Sequence, residues 1–176
     1  MSLAADRPEF SRMIDLRQIG AAPLDLVADA AECGALAARF DLVAIERLEA
    51  RVSLVAEDAT VTASGTLRAA WIQSCAVSGE DLPQATEEPL ALRFVPATDD
   101  PAPDSEIELT ADDCDDIPYS GTQFDLGEAI AQSLGLAIDP FACGPQAEAA
   151  RRAAGILPEE ATGAFAGLAA LKLGKD

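Results

Sequence analysis

Leu48-Glu49-Ala50-Arg51-Val52-Ser53-Leu54, followed after Glu57-Asp58 by Val61-Thr62-Ala63-Ser64-Gly65-Thr66-Leu67-Arg68-Ala69-Ala70-Trp71, decides the fold. Apolar and polar residues alternate with a period of two on both sides of the polar break. In a strand, successive side chains point to opposite faces, so this period gives one buried and one solvated face. Leu48, Ala50, Val52 and Leu54 fall on the first face, as do Val61, Ala63, Gly65, Leu67, Ala69 and Trp71. Two such runs around a short polar break read as a half-buried antiparallel hairpin. Leu90, Leu92 and Phe94 repeat the pattern and predict a third strand after a Ser78–Glu88 connection. Ile107 and Leu109 predict a short fourth one.

Helical periodicity flanks this β region. Asp29-Ala30-Ala31-Glu32 has capping-box spacing, and Cys33, Leu36, Ala37 and Phe40 recur at i, i+3, i+4, i+7. An amphipathic helix over 30–40 follows, preceded by a first strand over 10–16. Asp125-Leu126-Gly127-Glu128 repeats the capping-box spacing, with Leu126, Ile130 and Leu134 on one face and Pro140 as a stop. A second C-terminal helix is expected over 145–154, with Gly155 just beyond it, and a short third one over 164–173. The fold class is α+β: an antiparallel β meander, with partial closure into a barrel an option, an N-terminal amphipathic helix and C-terminal helices. A single domain over 1–176 is expected, with a mobile acidic loop at 97–105 and a loosely attached tail at 157–176.

The charge bounds the function. The chain has 176 residues, 31 Asp+Glu against 12 Lys+Arg, no His, and a formal net charge of −19. At 49% hydrophobic residues it can bury a core, unlike acidic disordered chains. Thirteen acids and not one Lys or Arg lie between Phe94 and Ala150. Such a charge disfavours gripping a phosphate backbone and favours a basic partner. Asp112, Asp113, Asp115 and Asp116 are the densest candidates for docking it. Met1–Glu9 shows no basic region leading into an apolar run, and no apolar stretch of about eighteen residues occurs, so a cytoplasmic protein with no membrane partner is expected.

Catalytic patterns are missing. Without histidine there is no Ser-His-Asp or Cys-His arrangement. No Gly-rich phosphate cradle, G-x-S-x-G elbow or calcium loop of the EF-hand kind is found. Cys33, Cys75, Cys114 and Cys143 are widely spaced with no C-x-x-C pair, so no metal and no cofactor is assigned. A small metal-binding protein remains an alternative only if the four cysteines converge. No enzyme activity and no small-molecule substrate is expected. Arg51, Arg68 and Arg93 each take the polar side of a strand. In register they would form one basic patch for direct RNA contact; the competing reading pairs them with nearby acids.

Three segments resemble the YceD family of large ribosomal RNA subunit accumulation proteins. Trp71-Ile72-Gln73-Ser74-Cys75-Ala76-Val77-Ser78-Gly79-Glu80-Asp81 is similar to the family's strand running into C-x-x-[C/T]-L-E-P, with Cys75 and Glu80 matching. The acidic stretch through Asp115-Asp116-Ile117-Pro118-Tyr119 to Asp125-Leu126 resembles the family's acidic segment before an Asp-Leu that opens a helix. Leu136-Ala137-Ile138-Asp139-Pro140-Phe141-Ala142-Cys143 is similar to the family's L-x-L-P-x-x-P-x-C. Phe165–Lys172 resembles its short tail helix. Ser78 stands where some members have a second cysteine, so no zinc site carries over. The resemblance implies a non-catalytic factor for synthesis, processing or stability of large-subunit ribosomal RNA. The charge then points to a basic ribosomal protein or assembly factor as partner, with ribosomal RNA itself the alternative.

Overall fold

The computed structural model describes residues 9–97 and 116–156. The chain divides into two compact units: Met1–Gln73 with Pro83–Asp139, and Ser74–Leu82 with Pro140–Asp176. All but Ala97 of the expected loop at 97–105, the strand at Ile107 and Leu109, and the tail at 157–176 lie outside the described residues.

The first unit is built on the quoted hairpin. Strands β1 (Met13–Asp15), β2 (Leu24–Val27), β3 (Ala44–Glu57), β4 (Thr60–Ser74), β5 (Asp81–Pro96), β6 (Asp116–Tyr119) and β7 (Gln123–Asp125) form two sheets. The larger has the order β2-β3-β4-β5-β6, and β1 pairs antiparallel with β7. The period of two holds: Leu48, Val52, Val61, Ala63, Leu67 and Ala69 are almost fully buried. Each fully buried large apolar side chain contributes about 1.5–3 kcal/mol, so this one row outweighs the surface ion pairs described below. The pairing of β3 with β4 shifts register between Ile45 and Arg47, near the start of β3.

Two helices of this unit bury their apolar residues in the same cluster. Helix α1 (Ala30–Arg39) contributes Cys33, Leu36 and Ala37, and α2 (Leu126–Ala137) contributes Leu126, Ala129, Ile130, Ala131 and Leu134. Asp29 caps α1 by accepting from the Ala31 and Glu32 amides, and Glu32 returns to the Asp29 amide, completing a capping box. At α2 the N-cap Asp125 accepts from the Glu128 amide, but Glu128 does not reach back. Its carboxylate takes Arg39 instead, at 2.8 and 2.9 Å. Phe94 and Phe124 stack with ring centroids 4.2 Å apart, and Tyr119 lies 6.1 Å from Phe124.

Several expectations are corrected. The sheet is open rather than a partly closed barrel: β2 and β6 end its strand order, and they do not pair among the described residues. The sheet is also mixed rather than a pure antiparallel meander, because β6 runs parallel to β5, with Arg93 opposite Asp116 and Phe94 opposite Ile117. Parallel neighbours need a connection of a dozen or more residues, and nineteen residues separate Pro96 from Asp116 in the sequence. Strand β5 starts at Asp81, so the Ser78–Glu88 connection shrinks to a tight turn. The strand expected over 10–16 is only Met13–Asp15, and it joins β7 instead of the main sheet.

Gly65 makes the β3–β4 crossing possible. A Cβ at this position would lie 1.9 Å from the Arg51 carbonyl oxygen and 2.9 Å from the Val52 Cα, both backbone atoms. A glycine inside a strand often marks such a close backbone approach. Gly65→Ala is therefore expected to destabilise the protein by about 3 kcal/mol, seen as a lower urea midpoint. Gly20→Ala, with nothing within 4 Å, is the control and should shift stability by less than about 0.5 kcal/mol.

Candidate functional site

The family-like residues separate into two places. Asp125 and Leu126 lie in the first unit and hold its N-terminal strand to α2. Asp125 accepts from the Ser11 hydroxyl at 2.6 Å and the Arg12 amide at 2.8 Å while capping the helix. The Leu126 amide donates to the Arg12 carbonyl at 3.1 Å, and the Leu126 side chain is fully buried. Gly127 leaves no room for a side chain, since a Cβ there would meet the Phe10 oxygen at 2.6 Å and the Arg12 nitrogen at 2.7 Å. Asp125-Leu126-Gly127 thus builds the fold at a place where the 10–12 backbone runs against the start of α2.

Cys75, Glu80 and Cys143 belong to the second unit, on two loops that clasp each other. The Cys75 amide donates to the Glu80 carbonyl and the Gly79 amide to the Cys75 carbonyl, closing a tight turn. Gly79 sits at φ +73°, a conformation that glycine adopts without a Cβ penalty. The Ala76 amide bonds the Ala142 carbonyl of the other loop at 3.0 Å. Between them lies the buried Cys75 sulfur, accepting from the Ser78 and Gly144 amides, each at 3.3 Å. Glu80 Oε1 is a second acceptor centre: it accepts from the Ser78 hydroxyl at 3.0 Å and the Gln146 amide at 2.9 Å. Gly144 is the complement to both, because a Cβ there would come within 2.5 Å of Glu80 Oε1 and of Leu82 Cδ2. Helix α3 (Ala147–Ala153) then carries Arg151, whose Nη2 lies 3.8 Å from the exposed Cys143 sulfur.

These donors change the chemistry of Cys75. Hydrogen bonding from the Ser78 hydroxyl, then from the Gly144 and Ser78 amides, favours the thiolate over burial's opposing effect and pulls the thiol down to about 6. The Ser78 hydroxyl has one proton for two acceptors, this sulfur and Glu80. Cys33 behaves in the opposite way: burial in the first unit's core, with Asp29 and Glu32 nearby, pushes its thiol up. Among the described residues no group of three or more His, Cys, Asp or Glu could hold a metal ion. Cys114 lies outside them.

The arginine face is charge-compensated. Arg51, Arg68 and Arg93 point outward, and each stands beside an acid: Arg51 by Asp25 at 3.7 Å, Arg68 by Glu87 at 2.8 Å and Arg93 by Asp116 at 3.2 Å. Asp25 and Glu49 face Arg51 and Arg68 across the strand ladders. Arg93 and Asp116 are at ion-pair distance without hydrogen-bond alignment. A shallow groove of about 530 Å³ runs over this side and is lined by Asp25, Glu49, Arg51, Ser53, Ser64 and Arg68 among others. Its two acids match its two arginines. Of the acidic docking candidates only Asp116 is described; Asp112, Asp113 and Asp115 lie outside.

Sequence reasoning singled out Cys75, Glu80 and Cys143 but passed over Gly144 and Gln146, which complete the clasp from the second loop. The signal available was their spacing, one and three residues after Cys143. Reactivity of Cys75 checks the geometry. With Cys143→Ser as background, its alkylation rate should rise with pH around a midpoint near 6, and Ser78→Ala should move that midpoint upward. The sign for stability follows from a folded-state value below the unfolded one. The advantage over Cys75→Ser should be lost as pH falls through about 6 and complete only above the ordinary thiol range, read as the difference in urea midpoints.

A protein-family model described as large ribosomal RNA subunit accumulation protein YceD matches residues 63–172. No curated protein and no solved structure matches this chain.

Proposed function

We propose, from the premise that this chain belongs to the YceD family, that it supports the accumulation of large-subunit ribosomal RNA as a non-catalytic factor. Family membership over more than half of the chain carries this reading. The finer proposal concerns how it acts: through a basic protein, a ribosomal protein or assembly factor, rather than through naked RNA. The net charge of −19 and the base-free run from Phe94 to Ala150 favour that partner by long-range attraction. The acid beside each of Arg51, Arg68 and Arg93 argues against those side chains as a phosphate grip, since a paired guanidinium must first give up its carboxylate. No helix among the described residues is long and apolar enough to cross a membrane. A cytoplasmic place of action follows from the ribosomal role.

Three experiments test this reading. Depletion of the protein should lower the large-subunit peak in sedimentation, and a normal peak would overturn the ribosomal role. Pull-down should capture basic ribosomal proteins at low salt and lose them as ionic strength approaches 1 M, where screening falls to about 3 Å. Absence of capture at low salt would remove the basic-partner mechanism. Reversal of Arg51, Arg68 and Arg93 to Glu should leave capture intact; loss of RNA affinity in the folded triple variant would favour direct RNA contact instead.

A further inference from the structure

The second unit holds two thiols of opposite character within reach of one another. Cys75 is 4% exposed and its sulfur is enclosed by amides of both loops, whereas Cys143 is exposed. The Gly144 nitrogen, 3.3 Å from Cys75 Sγ, is bonded to the carbonyl carbon of Cys143. Fixed peptide geometry therefore puts the Cys143 Cα within about 6 Å of that sulfur. Among the described residues Cys143 Sγ makes two weak sulfur contacts, to the Phe141 carbonyl at 3.3 Å and to Arg151 at 3.8 Å. A disulfide with Cys75 requires the Cys143 side chain to rotate about χ1 toward it.

We propose that Cys75 and Cys143 form a redox-responsive dithiol that a hydroperoxide converts to a disulfide. The exposed Cys143 thiolate attacks one peroxide oxygen; the O–O bond breaks, hydroxide (or alkoxide) leaves, and the sulfur becomes a sulfenic acid. The Cys75 thiolate then attacks the sulfenic sulfur and expels a second hydroxide, so the peroxide is reduced by two electrons and the thiol pair is oxidised by two. The division of labour follows from exposure and hydrogen bonding. An outside reagent meets Cys143 first, and the amide-cradled Cys75 is already a nucleophile near neutral pH. A hydrogen peroxide molecule carries no charge, so the −19 protein does not repel it as it would an anionic oxidant. The resulting bond would tie the 74–82 loop to the 140–156 segment covalently, fixing what the Gly144–Cys75 and Gln146–Glu80 hydrogen bonds now hold.

The reduced protein, exposed to stoichiometric hydrogen peroxide and quenched with N-ethylmaleimide, gives the test by intact mass and peptide mapping. A cross-linked Cys75–Cys143 peptide is expected as the main product, with the other two cysteines still alkylated. Cys75→Ser should abolish the link and accumulate a dimedone-trapped sulfenic acid at Cys143. Ser78→Ala, which keeps both thiols, should slow cross-linking several-fold at pH 7 and recover at pH 9. Sulfenic or sulfinic acid at Cys143 of the wild type without a link would overturn the proposal. So would cross-linking as fast in urea-unfolded protein as in folded protein, since the loop geometry would then contribute nothing.

Discussion

The row of apolar side chains on one face of the β3–β4 hairpin is the constraint on which the first unit depends. Val52, Val61, Leu67 and Ala69 leave water only if something covers them, and α1 and α2 supply that cover through Leu36, Leu126, Ile130 and Leu134. Register is inseparable from this burial, because a slip of one residue would turn the whole row outward. Gly65 serves the same end by letting the β4 backbone pass against Arg51 and Val52. One buried polar side chain that this packing encloses, Gln73, is satisfied. Trp71 donates to the buried Gln73, which in turn donates to the Asp139 carbonyl at 2.7 Å.

The ion pairs act on top of that packing. Arg12 grips Glu32 with two nitrogens and also reaches the Val27 carbonyl, so it joins the N-terminal strand, β2 and α1. The hydrogen bond from Arg12 holds Glu32 below the usual carboxylate range, and the one from Arg39 does the same for Glu128. Those contributions are present near neutral pH and are lost in acid as the carboxylates protonate. On the solvated face the pairs are weaker, and their effect is to cancel charge. An outer sheet face that sequence composition leaves open to RNA becomes a surface of alternating sign.

The clasp of the second unit shows how a short motif changes meaning with its surroundings. In Cys75-Ala76-Val77-Ser78 the fourth position carries a hydroxyl instead of a thiol. That hydroxyl donates to the Glu80 carboxylate, while amides of both loops donate to the Cys75 sulfur and to Glu80. The Cys75 sulfur and the Glu80 carboxyl take N–H and O–H donors, and no group of metal-ligating side chains occurs among the described residues. A motif that invites a metal-site reading in other sequences is here a hydrogen-bonded turn around a thiol whose pKa is lowered.

Local order was legible in the amino-acid sequence, because periodicity and capping involve neighbours within a few residues. The hairpin faces, the Asp29–Glu32 box, the Asp125 cap and the left-handed Gly155 all follow from spacing alone. So did the chain's place in the YceD family, since short motifs in a fixed order survive without any knowledge of contacts. Tertiary structure alone decided the rest. The parallel seat of β6 depends on a long connection, and the neutralised arginines depend on acids brought alongside by strand pairing. The lowered Cys75 thiol depends in part on an amide sixty-nine positions away. Each is a matter of which distant groups meet, and a linear pattern of apolar and polar residues carries no record of that meeting.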